Sequence, residues 1–345
     1  MVKRALVTGG SGFLGTQVTE RLVKNGWEVT IFDLNQPTRK DVRFLRGDIR
    51  ELKACQAAVN EIDAVFHNVA QVPLAKDKAL FNSVNIGGAR SILDAAANSS
   101  VTSFVMTSSS AVFGLPKELP ANNQSLLNPV EEYGKAKLAG ELQISDFHKS
   151  RMNISIVRPR TILSPGRLGL FSILFDWISK GLDVVVFGDG NNPYQFVHAK
   201  DLAAGLENAS ALPGFNTLNL GAMSYGTLRS DLESLCKYAK TGSRVRSIPS
   251  GLVRTPLLFA SKIGLVPFAS YQVLLYSQAM YFDSQEDWNT LKYTPEFSNR
   301  DCLIESYDWY KTNVASISKS GELSVHQKPT TGISLKILET FLRLI

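Results

Sequence analysis

The chain has 345 residues, 44% hydrophobic and 20% charged, an ordinary globular composition with enough length to bury a sizeable core. Its formal net charge is +6, yet the lysines and arginines are scattered rather than gathered in a stripe among aromatics. This argues against a nucleic-acid binder and suits an anionic small-molecule partner. Cys55, Cys236 and Cys302 are odd in number and far apart, which excludes a disulfide framework and a zinc knuckle and points to a reducing, cytoplasmic setting.

The apolar run at the N-terminus is too short for a signal peptide and passes straight into a motif. Residues 4–8 read as a buried strand and 13–25 as a helix, with Leu14, Val18, Leu22 and Val23 on one face. Further strands are expected at 28–32, 42–45, 64–67, 103–107 and 154–157, with helices at 51–59, 85–97 and 130–148. This alternation predicts an α/β fold: a doubly wound parallel sheet of the Rossmann kind, with helices on both faces. After Arg158 the pattern is less regular. Residues 188–193 are a loop signal, 201–210 and 230–238 read as helices, and 217–220 as a strand. The expected organisation is a Rossmann core in 1–160, a smaller C-terminal lobe in 161–315 interleaved with the last sheet strands, and a polar tail in 316–345 whose residues 333–345 have the spacing of an amphipathic helix. Residues 263–282 approach the length of a membrane span, but Pro267, Ser270, Gln272, Ser277 and Gln278 interrupt them. No transmembrane span is expected, and contact with a membrane surface is the lesser reading.

Gly9-Gly10-Ser11-Gly12-Phe13-Leu14-Gly15 stands between the first strand and the first helix. A GxGxxG string alone is weak, but a strand before and a helix after give it the context of a dinucleotide fingerprint. Its glycines permit a tight turn close to a pyrophosphate, and the helix start supplies N–H groups and positive potential. Asp33 ends the second strand about 18 residues later, where a carboxylate accepts from both ribose hydroxyls of NAD and repels the extra phosphate of NADP. Arg39 and Lys40 are close enough in sequence to offset part of that repulsion. Asp48-Ile49 follows the third strand; Asp48 is read equally as an adenine-edge residue and as the N-cap of the next helix.

Tyr133 and Lys137, four apart on a helix, share a face. An ammonium beside a phenol favours the phenolate, lowering a pKa that is otherwise about 10 toward the range where proton exchange is useful. Thr107, Ser108, Ser109 and Ser110 lie at the end of the fifth strand, and such ends face the ligand crevice of a doubly wound sheet.

Taken with Asp33, the runs 8–15, 108–114 and 133–137 resemble the extended short-chain dehydrogenase/reductases: the NAD-dependent epimerase/dehydratase family, with its 3β-hydroxysteroid dehydrogenase-like branch beside it. Val65-Phe66-His67-Asn68-Val69-Ala70, Val84-Asn85-Ile86-Gly87-Gly88, Val157-Arg158-Pro159 and the run 196–202 extend the likeness over residues 2–313. The resemblance implies NAD as cofactor and Ser109, Tyr133 and Lys137 as the catalytic set. It places Gly9, Gly12, Phe13, Leu14, Gly15, Asp33, Asp48, Ile49, Ala70, Asn85, Tyr133 and Lys137 around the cofactor, with no metal. It also implies a homodimer through the helices at 85–97 and 130–148.

The sequence departs from that pattern in places. No carboxylate follows Ser109, so dehydration is not expected. Tyr194 stands where nucleotide-sugar epimerases carry an arginine for the diphosphate, leaving Arg158, Arg160 and Arg167 as candidate anion ligands. His198 and Asp201 read as braces rather than reacting groups. Residues 252–282 have the composition of an apolar pocket floor or of lobe core. The expected function is oxidation or epimerisation of a secondary alcohol on a small molecule, with a nucleotide sugar as first choice. The alternatives are a hydrophobic alcohol of the steroid kind and a non-catalytic NAD sensor on the same fold.

Overall fold

A computed structural model describes residues 2–71, 78–145, 147, 152–167, 171–249 and 278–317. These fall into two compact units, one of 2–161, 199–221 and 282–296, the other of 162–198, 222–249, 278–281 and 297–317. The first unit therefore takes a strand and two helices from beyond residue 161.

In the first unit, strands β1 (Arg4–Thr8), β2 (Glu28–Asp33), β3 (Arg43–Arg46), β4 (Ala64–His67), β5 (Ser103–Thr107), β6 (Asn153–Pro159) and β10 (Phe215–Leu220) form one sheet in the order β10-β6-β5-β4-β1-β2-β3. Every neighbouring pair is parallel. β1, β4 and β5 are buried along almost their whole length, as continuous apolar runs require when helices cover both faces. The chain order reverses between β1 and β4, the switch point at whose carboxyl end such sheets bind ligands. The helices are α1 (Phe13–Lys24), α2 (Leu52–Ala58), α3 (Lys78–Asn82), α4 (Ala89–Ala97), α5 (Glu132–Ser145), α7 (Ala199–Ala209) and α9 (Gln285–Thr290), with α6 (Phe171–Ser179) and α8 (Leu228–Ala239) belonging to the second unit. One core cluster joins Leu6, Ile49, Val65, Ile92, Phe104 and Ile154, which come from sheet and helices alike.

Three expectations need correction. The helix expected to start at Asn85 is entered earlier: α3 runs into a π-helical turn (Ser83–Gly88) and then α4. Asn85 is 5% exposed, and its amide accepts from the Gln71 N–H (2.8 Å) and donates to the Gln71 carbonyl (3.1 Å). The wider turn aims that side chain at the loop after β4, a placement that local periodicity does not encode. Asp48 is not a helix cap: α2 starts after Glu51 with no side-chain cap, and the Asp48 carboxylate instead takes the Arg50 N–H (2.9 Å) and guanidinium. Finally, α5 begins at Glu132, not at 130.

The second unit pairs β8 (Val184–Phe187) with β11 (Val245–Ile248) in parallel and also holds β9 (Phe196–Val197), while β7 (Thr161–Ile162) ends the first stretch of the core. Its own core gathers Phe175, Trp177, Phe196, Leu232, Leu235, Cys302 and Tyr307 from α6, β9, α8 and α10 (Asn299–Ile317). Thr227 and Ser230 form a capping box at the start of α8. α10 carries Ser316 and Ile317, which the sequence assigns to the tail. Most of the apolar stretch 252–282 and the proposed helix 333–345 lie outside the described residues. No described helix is long and apolar enough to cross a membrane.

Candidate active site

The glycine turn and the ends of β2, β4 and β5 lie in the first unit, as do α1 and α5. Gly9 adopts φ +69°, and the Gly12 N–H closes the turn on the Gly9 carbonyl at 3.0 Å. Gly15 lies so close beneath that a Cβ there would meet the Gly9 oxygen at 2.0 Å, which fixes glycine at this position. At Gly12 the Gly9 oxygen, at 3.2 Å, is what a Cβ would meet within 4 Å, so the outer side of the turn has room. α1 starts there with no side-chain cap and no acidic residue in its first turn. Phe13 is buried and Leu14 half-buried on that turn. An uncapped helix start beside an open glycine fits a pyrophosphate, by charge and by space.

Asp33 completes the fit. One carboxylate oxygen accepts from the Ser11 N–H (3.1 Å) and the other from the Asn35 N–H (3.0 Å). Each oxygen keeps acceptor capacity for a ribose hydroxyl. Arg39, which could have welcomed a further phosphate, is engaged by Asp41 at 2.6 Å. Asp33→Asn is expected to weaken NAD about tenfold and to strengthen NADP by a similar factor. Calorimetric titration of both nucleotides checks this. Ile49 is 5% exposed and packs beneath the π-turn, where a Cβ on Gly88 would meet it at 2.5 Å. Ala70 is half-buried on the loop after β4, next to Gln71, which Asn85 clamps.

The four hydroxyls at the end of β5 have different neighbours. Thr107 donates to the Asn68 side chain (2.7 Å), Ser108 donates to Glu141, and Ser110 receives Arg160 (2.9 Å). The Ser109 hydroxyl accepts from the Ala111 N–H at 3.1 Å, which leaves its proton for donation, and the residue is half-buried. It precedes a 3-10 turn (Ser110–Phe113) that packs on α5. Gly134 allows that approach, since a Cβ there would lie 2.5 Å from the Ala111 carbonyl oxygen. The glycine between Tyr133 and Lys135 thus brings the first turn of α5 against the turn that Ser109 caps.

Tyr133 is half-buried on that first turn, and Lys137 is buried one turn on. The Lys137 ammonium lies 6.0 Å from the Tyr133 ring centroid and donates to the Thr107 carbonyl at 2.8 Å. Burial pushes its pKa down to about 8, and Glu141 opposes that shift. Glu131, just before α5, is pushed up to about 7 by desolvation, so its charge changes near neutrality. The sequence reading misses Glu131, because its exposure depends on how the loop before α5 folds.

His67 ends β4 with its Nδ1 2.8 Å from the Thr8 hydroxyl, and burial, with Lys137 adding to it, holds its pKa down to about 3. A depressed histidine contributes stability that is present above the ordinary value of 6.5 and lost as pH falls toward 3, because only the unfolded chain takes up the proton. His67→Asn is expected to flatten the acid limb of a stability-versus-pH curve, by up to about 1.4 kcal/mol per pH unit in that window. Urea unfolding at several pH values measures it.

Of the candidate anion ligands, Arg158 is committed to Glu141 and Arg160 is 1% exposed against Ser110 and the Phe282 ring. In the second unit His198 is 1% exposed and stacks on Phe297, with ring centroids 3.8 Å apart. Asp201 accepts from the Tyr293 hydroxyl and the Glu296 N–H, both at 2.9 Å. These are bracing contacts. Among the described residues no cluster of His, Cys, Asp and Glu has the makings of a metal site.

The family model of the NAD dependent epimerase/dehydratase family matches residues 5–221. The chain is 47% identical to the uncharacterized protein y4nG of Sinorhizobium fredii, over 100% of this chain and 88% of that protein. It is 26% identical to a 3 beta-hydroxysteroid dehydrogenase/Delta 5-->4-isomerase of Mycobacterium tuberculosis, over 89% of this chain and 90% of the relative. Among solved structures, MoeE5 in complex with UDP-glucose and NAD superposes with a TM-score of 0.70 at 20% identity, covering 90% of this chain and 99% of that one. The glycine turn, the Asp33 carboxylate and the match over residues 5–221 together make this chain a member of the NAD dependent epimerase/dehydratase family and an NAD-dependent enzyme.

Proposed function

We propose that the enzyme interconverts a secondary alcohol and its ketone on a nucleotide sugar, giving epimerisation when the ketone is reduced again on its other face. The observation that carries the reaction is the grouping at the end of β5. There the Ser109 hydroxyl keeps a proton to donate, and Tyr133 lies on the helix turn packed against it, with the Lys137 ammonium beneath the Tyr133 ring. Ser109 orients the substrate oxygen. Tyr133 takes the hydroxyl proton and returns it on reduction. Lys137, anchored on the Thr107 carbonyl, keeps two N–H donors and a positive charge that favours the Tyr133 phenolate.

The chemistry that bound NAD would supply is reversible hydride acceptance. Gly9, Gly12, Phe13, Leu14 and Gly15 would hold its pyrophosphate, with Asp33 on the adenosine ribose and Asp48 and Ile49 toward the adenine. Ala70, Asn85, Tyr133 and Lys137 would line the nicotinamide end. The division into a cofactor core in 1–160 and a substrate lobe in 161–315, interleaved with the last sheet strands, belongs to the same reading.

The likeness to MoeE5 with UDP-glucose supports a nucleotide sugar. A second reading, a hydrophobic alcohol, is favoured by Tyr194, which is 7% exposed and packs on Phe196 where a diphosphate-binding cation would be wanted. Turnover of UDP-glucose against a 3β-hydroxysteroid, each with NAD, decides between them. Three buried cysteines support a reducing, cytoplasmic setting, and Leu142, 58% exposed on α5, supports a homodimer through α4 and α5.

A further inference from the structure

Behind the reacting groups lies a buried ionic cluster that the proposed reaction does not use. Glu141 stands on α5 one turn beyond Lys137 and is 4% exposed, and Arg158 at the end of β6 is 6% exposed. The guanidinium grips the carboxylate in a fork, Nη2 to Oε2 at 2.7 Å and Nε to Oε1 at 3.0 Å. The Ser108 hydroxyl donates to the same carboxylate, and the Ser108 N–H donates to the Val157 carbonyl at 2.7 Å. Ser108 sits between Thr107, whose carbonyl holds Lys137, and Ser109.

A buried pair is a poor source of stability, because apolar residues of like volume often serve as well. The placement of this one suggests another use. Lys137 and Arg158 are both cations; Glu141 pairs with Arg158 and stands four residues on from Lys137, on the same face of α5. The other groups around Lys137 add little charge. His67 on β4 stays neutral and Tyr133 shares α5; on the neighbouring α4, Arg90 and Asp94 pair with each other, while Asp287 acts on Arg158.

We propose that Glu141, clamped by Arg158, is a positioning residue that fixes the strand end carrying Ser109 and keeps Lys137 charged. This rests on the reading of Ser109, Tyr133 and Lys137 as the reacting set. Loss of the Glu141 charge would leave two buried cations, and Lys137 would release its proton at lower pH.

The test is an NMR titration of the full-length protein carrying lysine labelled with carbon-13 at Cε, with Lys137 assigned through Lys137→Arg. The native Lys137 should titrate near 8, and Glu141→Gln should move it down by about one pH unit or more. Because that variant strands Arg158, the comparison is repeated in an Arg158→Met background, where adding Glu141→Gln should again move Lys137 down. A Lys137 titration unmoved by loss of Glu141 in either folded background overturns the proposal. Turnover of Tyr133→Phe is measured in parallel. Its loss beside an unmoved Lys137 sinks the Glu141 role alone, while its retention sinks the reaction and leaves the titration to judge Glu141 independently.

Discussion

Replacing Tyr133 by phenylalanine is expected to lower kcat by about 10²–10⁴-fold, the usual worth of a positioned acid/base. That range corresponds to about 2.7–5.4 kcal/mol of barrier. The substitution removes one oxygen and keeps the ring, so the packing of the half-buried side chain near Lys137 is retained. NAD affinity should therefore be nearly unchanged, and the defect should appear in kcat rather than in cofactor binding. Steady-state kinetics with UDP-glucose or the 3β-hydroxysteroid, whichever the native enzyme turns over, checks both halves. An unchanged kcat would remove Tyr133 from the chemistry.

The second large effect is expected at Gly15. A methyl group there would sit 2.0 Å from the Gly9 oxygen and 2.7 Å from the Gly10 Cα, both backbone atoms that cannot rotate away. Gly15→Ala thus forces the turn open and strains the Gly12 to Gly9 hydrogen bond. Overpacking of this kind costs about 1–3 kcal/mol. If the strain falls on the cradle, NAD binding weakens by about 10- to 100-fold. Gly26→Ala is the matched control. Gly26 also has a positive φ, +82°, but a Cβ there meets nothing within 4 Å. It should cost stability without touching NAD affinity. Calorimetric titration of NAD into both variants separates the two outcomes.

Much of the first unit was legible because its signals are local. Buried strands such as β1, β4 and β5 are short apolar runs, and the glycine turn declares itself by its place between a strand and a helix. Helical spacing puts Tyr133 and Lys137 on one face, but it is the resemblance of the run 133–137 to the family that singles them out. What escaped the sequence depends on tertiary contacts. Asn85 reads as an ordinary helix residue, yet its clamp on Gln71 goes with a π-turn. Glu141 looks like any polar residue of a helix, and only the fold brings Arg158 and Ser108 to it. Of the four adjacent hydroxyls at the end of β5, the family resemblance singles out Ser109, while the hydrogen-bond partners of each come only from the fold. Helix α6 is apolar on most of its surface, with Ile173, Phe175, Trp177 and Ile178 all buried, so it shows no single stripe to mark it. The Asp48 cap failed because the nearby Arg50 offered a stronger, charged partner.

The most direct test of the account is a crystal structure of the protein with NAD bound. The account predicts the pyrophosphate over Gly12 at the start of α1, the adenosine ribose hydroxyls on Asp33, and the nicotinamide end beside Tyr133 and Lys137. A nicotinamide ring lying well away from the Tyr133 hydroxyl, with the pyrophosphate seated on the turn, would contradict it.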